Sequence, residues 1–234
     1  MRILCVVPAR GGSKGVPGKN LRVVAGKPLL AWTVEQALAA RPSMDVVVST
    51  DDPAIADAAR TAGALVPFMR PAELAQDTTP TEPVIRHAIE AARAADAAPD
   101  AVMLLQATSP VRLPRTIDRA IAQFSATGVD SLVGVVPQPP FVWADGEPPT
   151  AAYDVDARPR RQDLTPEAMR YRETGSLYLT RPWVYEERDN RIGGRVGLFV
   201  MDELEGTDVD TELDLLVAEQ ILRGLAVPAA EARP

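Results

Sequence analysis

Two stretches carry side chains whose types and spacing suit phosphate chemistry. The first is Pro8-Ala9-Arg10-Gly11-Gly12-Ser13-Lys14-Gly15-Val16-Pro17-Gly18-Lys19-Asn20. Glycines at 11, 12, 15 and 18 let the backbone take positive φ and come close to a ligand. Arg10, Lys14 and Lys19 are threaded among them, and no acidic residue precedes Glu35. Successive backbone N–H groups in such a loop form an anion-binding concavity to which fixed cations add charge. The ligand for that combination is a polyphosphate; the plainer account is a basic surface loop joining a strand to a helix. The second stretch is Gly206-Thr207-Asp208-Val209-Asp210. In extended chain, Asp208 and Asp210 at i and i+2 aim both carboxylates to one side. Two hard oxygen donors side by side suit Mg²⁺, which takes carboxylates together with substrate phosphates. A structural acidic turn is the competing account of that pair.

The glycine loop follows neither common phosphate-loop pattern. A Walker A loop needs a glycine where Ser13 stands and a Ser or Thr where Asn20 stands, and the glycine spacing also misses the dinucleotide fingerprint. Other candidates take plainer readings. Cys5 lies inside a strand pattern and reads as a small buried apolar residue. His87, the one histidine, sits within a helical stretch and reads as a packing residue rather than an acid–base group. Asp52 before Pro53 reads as an N-cap followed by proline at the first helical position, in preference to a metal role for Asp51 or Asp52.

These residues must be positioned by alternating strands and helices. Arg2–Val7 is a continuous apolar run of the kind that makes a fully buried strand. Gly26–Leu30 leads into a helix to about Ala40, with Leu30, Val34, Ala37 and Leu38 on one face. Strands follow at Asp45–Thr50, Ala64–Pro67, Asp100–Gln106 and Ser131–Val136, with helices from Pro53 to Arg60, Thr81 to about Ala95 and Pro114 to Phe124. Such alternation predicts an α/β fold, a three-layer doubly wound, mostly parallel sheet. The loops Phe68–Thr81 and Ala107–Arg112 then fall at strand ends, where such sheets carry ligand contacts.

After Val136 the composition shifts. Pro137, Pro139, Pro140, Pro148 and Pro149 break regular structure, aromatics at Phe141, Trp143 and Tyr153 have little local core, and five arginines lie between Arg158 and Arg172. An excursion of this kind packs on something else, a partner subunit being the simple candidate and a solvated linker the alternative. Strands then return at Glu173–Leu179 and Gly197–Met201. Thr211 to Asp214 fits a capping box that opens a helix to about Arg223. The expected organisation is therefore an α/β domain of residues 1–136 and 174–224, an excursion of 137–173, and a flexible tail of 225–234.

The 234 residues suffice for one α/β domain with an excursion, and 46% hydrophobic with 24% charged residues is ordinary for a globular protein. A net charge of −7 argues against general nucleic-acid binding. No signal peptide and no apolar run of membrane-spanning length is expected, which makes a cytoplasmic location the default.

Taken together, the chain resembles the CMP-sialic acid synthetases (acylneuraminate cytidylyltransferases) from about residue 2 to 223. The resemblance is carried by the glycine loop, by Arg70-Pro71-Ala72-Glu73-Leu74-Ala75, Gln106-Ala107-Thr108-Ser109-Pro110 and Arg160-Arg161-Gln162-Asp163, and by Asp208-Val209-Asp210. It implies a Rossmann-like nucleotidyltransferase that transfers CMP from CTP to the anomeric hydroxyl of a nonulosonic (sialic-acid-like) 2-keto sugar acid, releasing pyrophosphate. By this likeness Arg10 and Lys19 would hold the triphosphate and act in catalysis with Asp208 and Asp210, which would bind Mg²⁺ or Mn²⁺. Ala9, Gly11, Asn20, Arg70, Thr79 and Thr81 would complete the nucleotide site, and Gln106, Thr108, Ser109 and Tyr178 the sugar site. Arg161 would reach the sugar site of a neighbouring subunit in a homodimer formed through residues 137–173.

The departures concern the sugar. No lysine accompanies Phe141-Val142-Trp143, residues 173–176 read Glu-Thr-Gly-Ser, and Ile192-Gly193-Gly194-Arg195 lacks an aromatic pair found in some members. Alternatives are a cytidylyltransferase for another 2-keto acid such as the eight-carbon Kdo, one for a phosphonate, or a catalytically silent nucleotide-sugar-binding regulator on the same fold. An NAD-dependent dehydrogenase is disfavoured by the glycine spacing.

Overall fold

In a computed structural model, residues 1–13 and 15–226 are described. Lys14 of the glycine loop and residues 227–234 of the expected tail lie outside them. The chain opens with β1 (Ile3–Pro8), then a small antiparallel hairpin of β2 (Val23–Val24) and β3 (Lys27–Pro28), helix α1 (Leu29–Leu38), β4 (Asp45–Ser49) and α2 (Pro53–Thr61). Next come α3 (Thr81–Ala94), β5 (Ala101–Leu105), α4 (Thr116–Thr127) and β6 (Ser131–Gln138). A second hairpin, β7 (Trp143–Ala144) with β8 (Thr150–Ala151), occupies the excursion before β9 (Arg170–Thr180), α5 (Pro182–Arg188), β10 (Val196–Val200) and α6 (Glu212–Ala226).

The main sheet has six strands in the order β10-β6-β9-β5-β1-β4. β1 pairs in parallel with β4 and β5, and β10 with β6, while β9 runs antiparallel between β5 and β6. The expected mostly parallel, doubly wound α/β sheet is thus present. One apolar layer, with Leu30, Val34, Ile55, Ile121 and Phe124, covers one face, and Ile85, Ile89, Tyr178 and Tyr185 build the other. β1 lies between them with Cys5, Val6 and Val7 at 0% exposure, which is why its sequence is a run rather than an alternation. Full burial of a side chain such as Phe124 contributes about 1.5–3 kcal/mol. A third, smaller cluster packs α6 through Leu215, Ala218 and Leu222 onto Val24, Leu29, Val111 and Val209.

Some local expectations are corrected. Leu38 does not share the buried face of α1. At 44% exposure it ends the helix and leans over the turn at Gly63, where an added Cβ would come within 2.9 Å of its Cδ1. Ala64–Pro67 is not a strand but a single parallel bridge, Val47 to Leu65, with Leu65 half exposed. Pro67 lacks the N–H that would extend the ladder. The sequence pattern does not predict α5, whose seven residues are too few to display helical periodicity, although Val184 and Tyr185 are fully buried. The β6–β9 ladder runs on through Pro137↔Tyr171 and Gln138↔Arg170, so the sheet reaches into both ends of the excursion.

Other readings hold. Asp52 caps α2, its Oδ1 accepting from the N–H groups of Ala54 (2.7 Å) and Ile55 (3.2 Å). His87 stacks edge-on against Phe68 with ring centroids 4.4 Å apart, and Cys5 is buried with its thiol pushed up to about 12 by desolvation. Among the described residues no helix is long and apolar enough to cross a membrane.

Candidate functional site

β1 has its sequence successor β4 on one side and β5 on the other, so the winding direction switches between β1 and β5. In open α/β sheets a ligand crevice opens beyond the carboxyl ends of the strands at such a switch. A cavity of about 350 Å³ lies there, walled by Pro8 at the end of β1, by Arg10 just beyond it and by Gln106 to Thr108 after β5. The first turn of α3, with Thr81 and Val84, closes another side.

The glycine loop forms one wall through identifiable contacts. Val16, fully buried, anchors its middle, and Gly18 at φ +62° turns the chain into a 3-10 segment, Lys19–Leu21. Asn20 Nδ2 donates to the carbonyl of Arg10 (3.0 Å), closing the loop on itself. The N–H of Gly11 donates to Asp51 Oδ1 (3.1 Å). Lys19 is only 9% exposed; its ammonium donates to the carbonyl of Val209 and to Asp210 Oδ1, the latter at 3.2 Å. A residue near the start of the chain is thereby joined to one 191 positions later. Gly15 is required by the same approach, because a Cβ there would stand 2.3 Å from the carbonyl oxygen of Asp210.

The carboxylate stretch is held from beneath. Val209 is fully buried in the third core cluster, and its N–H donates to the carbonyl of Thr108 (2.8 Å). Its neighbours therefore flank a buried anchor. Asp208 Oδ1 accepts from Ser109 Oγ at 3.1 Å, and Asp210 projects into the cavity with its side chain 76% exposed. Among the described residues no three His, Cys, Asp or Glu side chains assemble into a metal site. Asp210 in the cavity, with Asp208 just behind its lining, offers the partial donor set Mg²⁺ accepts when substrate phosphates complete it, so the residues present fit such an ion.

Positive charge dominates the far wall. Arg70 is 7% exposed, its Nε donating to Ser49 Oγ (3.1 Å) and its Nη2 to the Ser49 carbonyl. Burial lowers its basicity first, Asp51 opposes that, and the charge of Arg10 lowers it further. Two guanidinium groups close enough to repel favour an anion between or beside them. Arg10 meanwhile pairs with Asp77 on the loop that precedes α3.

Of the nucleotide and catalytic residues expected from sequence, Arg10, Lys19, Asn20, Arg70, Thr79, Thr81 and Asp210 line this cavity, as do Gln106 and Thr108 from the expected sugar set. Ala9 is buried behind it, and Gly11, Ser109 and Asp208 support the lining rather than form it. Tyr178 is 3% exposed inside the second core layer, with its hydroxyl donating to Glu173; burial and that carboxylate both raise its pKa. Arg161 lies exposed in a 3-10 turn of the excursion, away from the cavity lining. Sequence reading assigned no part to Asp77, Ser13 or Val84, which carry no spacing signal, nor to the buried Arg112.

A family model described as cytidylyltransferase matches residues 4–202. CMP-N,N'-diacetyllegionaminic acid synthase of Legionella pneumophila is 35% identical, covering 95% of this chain and 97% of the relative. Pseudaminic acid cytidylyltransferase of Campylobacter jejuni is 30% identical over 94% of this chain and 95% of its own. N-acylneuraminate cytidylyltransferase A of Danio rerio is 33% identical over 93% of this chain, which spans 50% of that protein. Among solved structures, CMP:2-keto-3-deoxy-manno-octonic acid synthetase complexed with CTP superposes with a TM-score of 0.69 at 18% identity, covering 96% of this chain and 99% of that one, a likeness of fold.

Proposed function

This chain belongs to the cytidylyltransferase family, and from that premise we propose that it activates a nonulosonic, sialic-acid-like 2-keto sugar acid. The reaction is CTP plus sugar acid giving CMP-sugar and pyrophosphate. The relatives that match across their whole length act, by name, on legionaminic and pseudaminic acids, which supports a nine-carbon acceptor over an eight-carbon one. The observation that carries the reading is the junction of Lys19 with Asp210 at the mouth of a cavity lined by Arg10 and Arg70.

In the mechanism the anomeric hydroxyl attacks the α-phosphorus in line and gives up its proton to solvent, the bond to the bridging oxygen breaks, and pyrophosphate departs with the electron pair. Arg10 and Lys19 hold the β- and γ-phosphates and stabilise the charge that accumulates on the leaving group. Bidentate guanidinium geometry suits Arg10 to this better than a lysine. Asn20, Arg70, Thr79 and Thr81 with the backbone at Ala9 and Gly11 take the nucleoside, and Gln106 and Thr108 face the acceptor. Asp208 and Asp210 would hold Mg²⁺ or Mn²⁺, which when bound neutralises charge on the phosphate oxygens. Ser109 orients Asp208, and Lys19 orients Asp210 until the triphosphate arrives.

The enzyme is proposed to work as a homodimer through residues 137–173. There Phe141, Trp143 and Tyr153 pack edge to face at 5.4 and 6.0 Å under Arg158, yet Trp143 stays 56% exposed. An aromatic cluster left open in this way suits a second copy of the chain, whose Arg161 would complete the neighbour's sugar site, with Tyr178 supporting that site from behind. The direct test is pyrophosphate release from each of the four NTPs with Mg²⁺ and a panel of 2-keto sugar acids. Release confined to CTP with a nine-carbon acid is expected; release with Kdo alone, or none with any acid, refutes the reading.

A further inference from the structure

Arg112 is a cation placed where cations are costly. It is 5% exposed, and burial draws its pKa down to about 10, with Glu205 and Cys5 opposing the shift. Among the described residues no hydrogen bond or ion pair joins it to a carboxylate. Its Nη1 donates to Thr33 Oγ1 (3.1 Å) and Gln36 Oε1 (3.0 Å) on α1, and its Nη2 to the carbonyls of Ser176 (2.7 Å) and Gln106 (3.4 Å). A buried guanidinium held by neutral acceptors, with its Nε left without a partner among the described residues, adds little net stability, so its contacts serve geometry.

The bond to Gln106 closes the loop from residue 106 to 112 into a ring. That loop carries three things: the Gln106 side chain in the cavity, the Thr108 carbonyl that takes the Val209 N–H, and Ser109, whose hydroxyl holds Asp208. Thr33 Oγ1 also reaches the Gln106 carbonyl (3.4 Å). On the other side Gly175, at φ +72°, leaves room for the Gln106 amide, since a Cβ there would lie 2.6 Å from its Oε1; Ser176, the next residue, is held by Arg112.

We infer that Arg112 is a positioning residue for the transfer reaction, fixing Gln106 at the acceptor end and Asp208 at the phosphate end in one rigid loop. The inference rests on the proposed reading of Gln106 as acceptor-facing. It touches no part of the nucleotide wall formed by the glycine loop and Arg70, so its loss separates acceptor geometry from CTP binding.

Arg112→Lys keeps a charge but cannot span four acceptors. Expected is a kcat lower by about 10- to 100-fold with a raised acceptor KM, while the dissociation constant of CTP without divalent metal, measured by calorimetry, stays within about twofold, within ordinary scatter of independent sites. Should that variant not fold, Thr33→Val removes one partner and leaves the cation, with an expected loss of about fivefold in kcat and the same unchanged CTP affinity. In both, the NMR signal of the Gln106 side-chain amide is expected to shift while those of the Gly11 and Gly12 amides do not. A folded variant with unaltered kcat and acceptor KM, an equal weakening of CTP binding, or an unmoved Gln106 signal overturns the inference. If the unaltered enzyme turns over no sugar acid, the functional reading fails, and the Gln106 signal still decides whether Arg112 positions the loop.

Discussion

In the proposed reaction Lys19 is the residue on which most of the chemistry converges. Its ammonium sits between the Val209 carbonyl and Asp210 in a nearly buried position, where a cation is strongly felt by a developing negative charge. Lys19→Ala should lower kcat by about 10²–10³, read as pyrophosphate release at saturating CTP; near-normal turnover would remove it from catalysis. Arg10 makes a different prediction. On the proposed reading its pairing with Asp77 is exchanged for phosphate when CTP binds, so the carboxylate competes with the substrate. Asp77→Asn should therefore tighten CTP by up to about fivefold, the worth of one partly exposed ion pair. Equilibrium titration checks this, and unchanged or weaker binding would show that Asp77 does not compete. The place of Lys19 in the cavity was legible because a lysine after glycines is a local pattern. That of Asp77 was not, because it depends on which distant loop folds over Arg10.

At the scale of elements, the site depends on how α6 and the strand ends are anchored. The capping box is present: Thr211 Oγ1 accepts from the Asp214 N–H (3.2 Å), and Asp214 Oδ2 accepts from the Thr211 N–H (2.8 Å). The same carboxylate takes the Asp210 N–H (3.1 Å), so the cap also steadies Asp210. Thr211→Ala should cost about 1 kcal/mol of stability, measured by urea unfolding at neutral pH. The Thr211 hydroxyl, then the Asp210 and Thr211 N–H groups, hold the Asp214 carboxyl below its ordinary range. A depressed folded pKa contributes stability that is present above the unfolded pKa and lost as pH falls through the folded one. The gap between wild type and Thr211→Ala should accordingly be widest near neutrality and narrow below about pH 4; a gap that widens in acid would contradict the cap. This helix start could be read from four residues. The bend at Gly175 and the insertion of β9 between β5 and β6 could not, since strand order and direction are long-range matters of packing that no local periodicity encodes.

For the whole molecule, the alternation of buried runs and amphipathic helices predicted the doubly wound sheet. It also put the glycine loop, the Gln106 loop and the loop before α3 at one edge of it. What alternation alone left open was the Asp208 segment, which reaches that edge only because Val209 seats in the third cluster and bonds to Thr108. The excursion raises a question of assembly. If Arg161 serves the neighbour's sugar site, mixing Arg161→Ala subunits with Asp208→Asn subunits should restore activity toward about one quarter of the wild-type value per dimer population, as statistical pairing of independent sites allows. No recovery in demonstrably mixed dimers would place each site within one chain. The central claim is that the glycine loop and the aspartate segment close on one triphosphate. A crystal structure with CTP and Mg²⁺ tests it most directly: the β- and γ-phosphates should contact Arg10 and Lys19, with the metal on Asp208 and Asp210. Nucleotide found elsewhere, or aspartates turned away from it, would contradict the account.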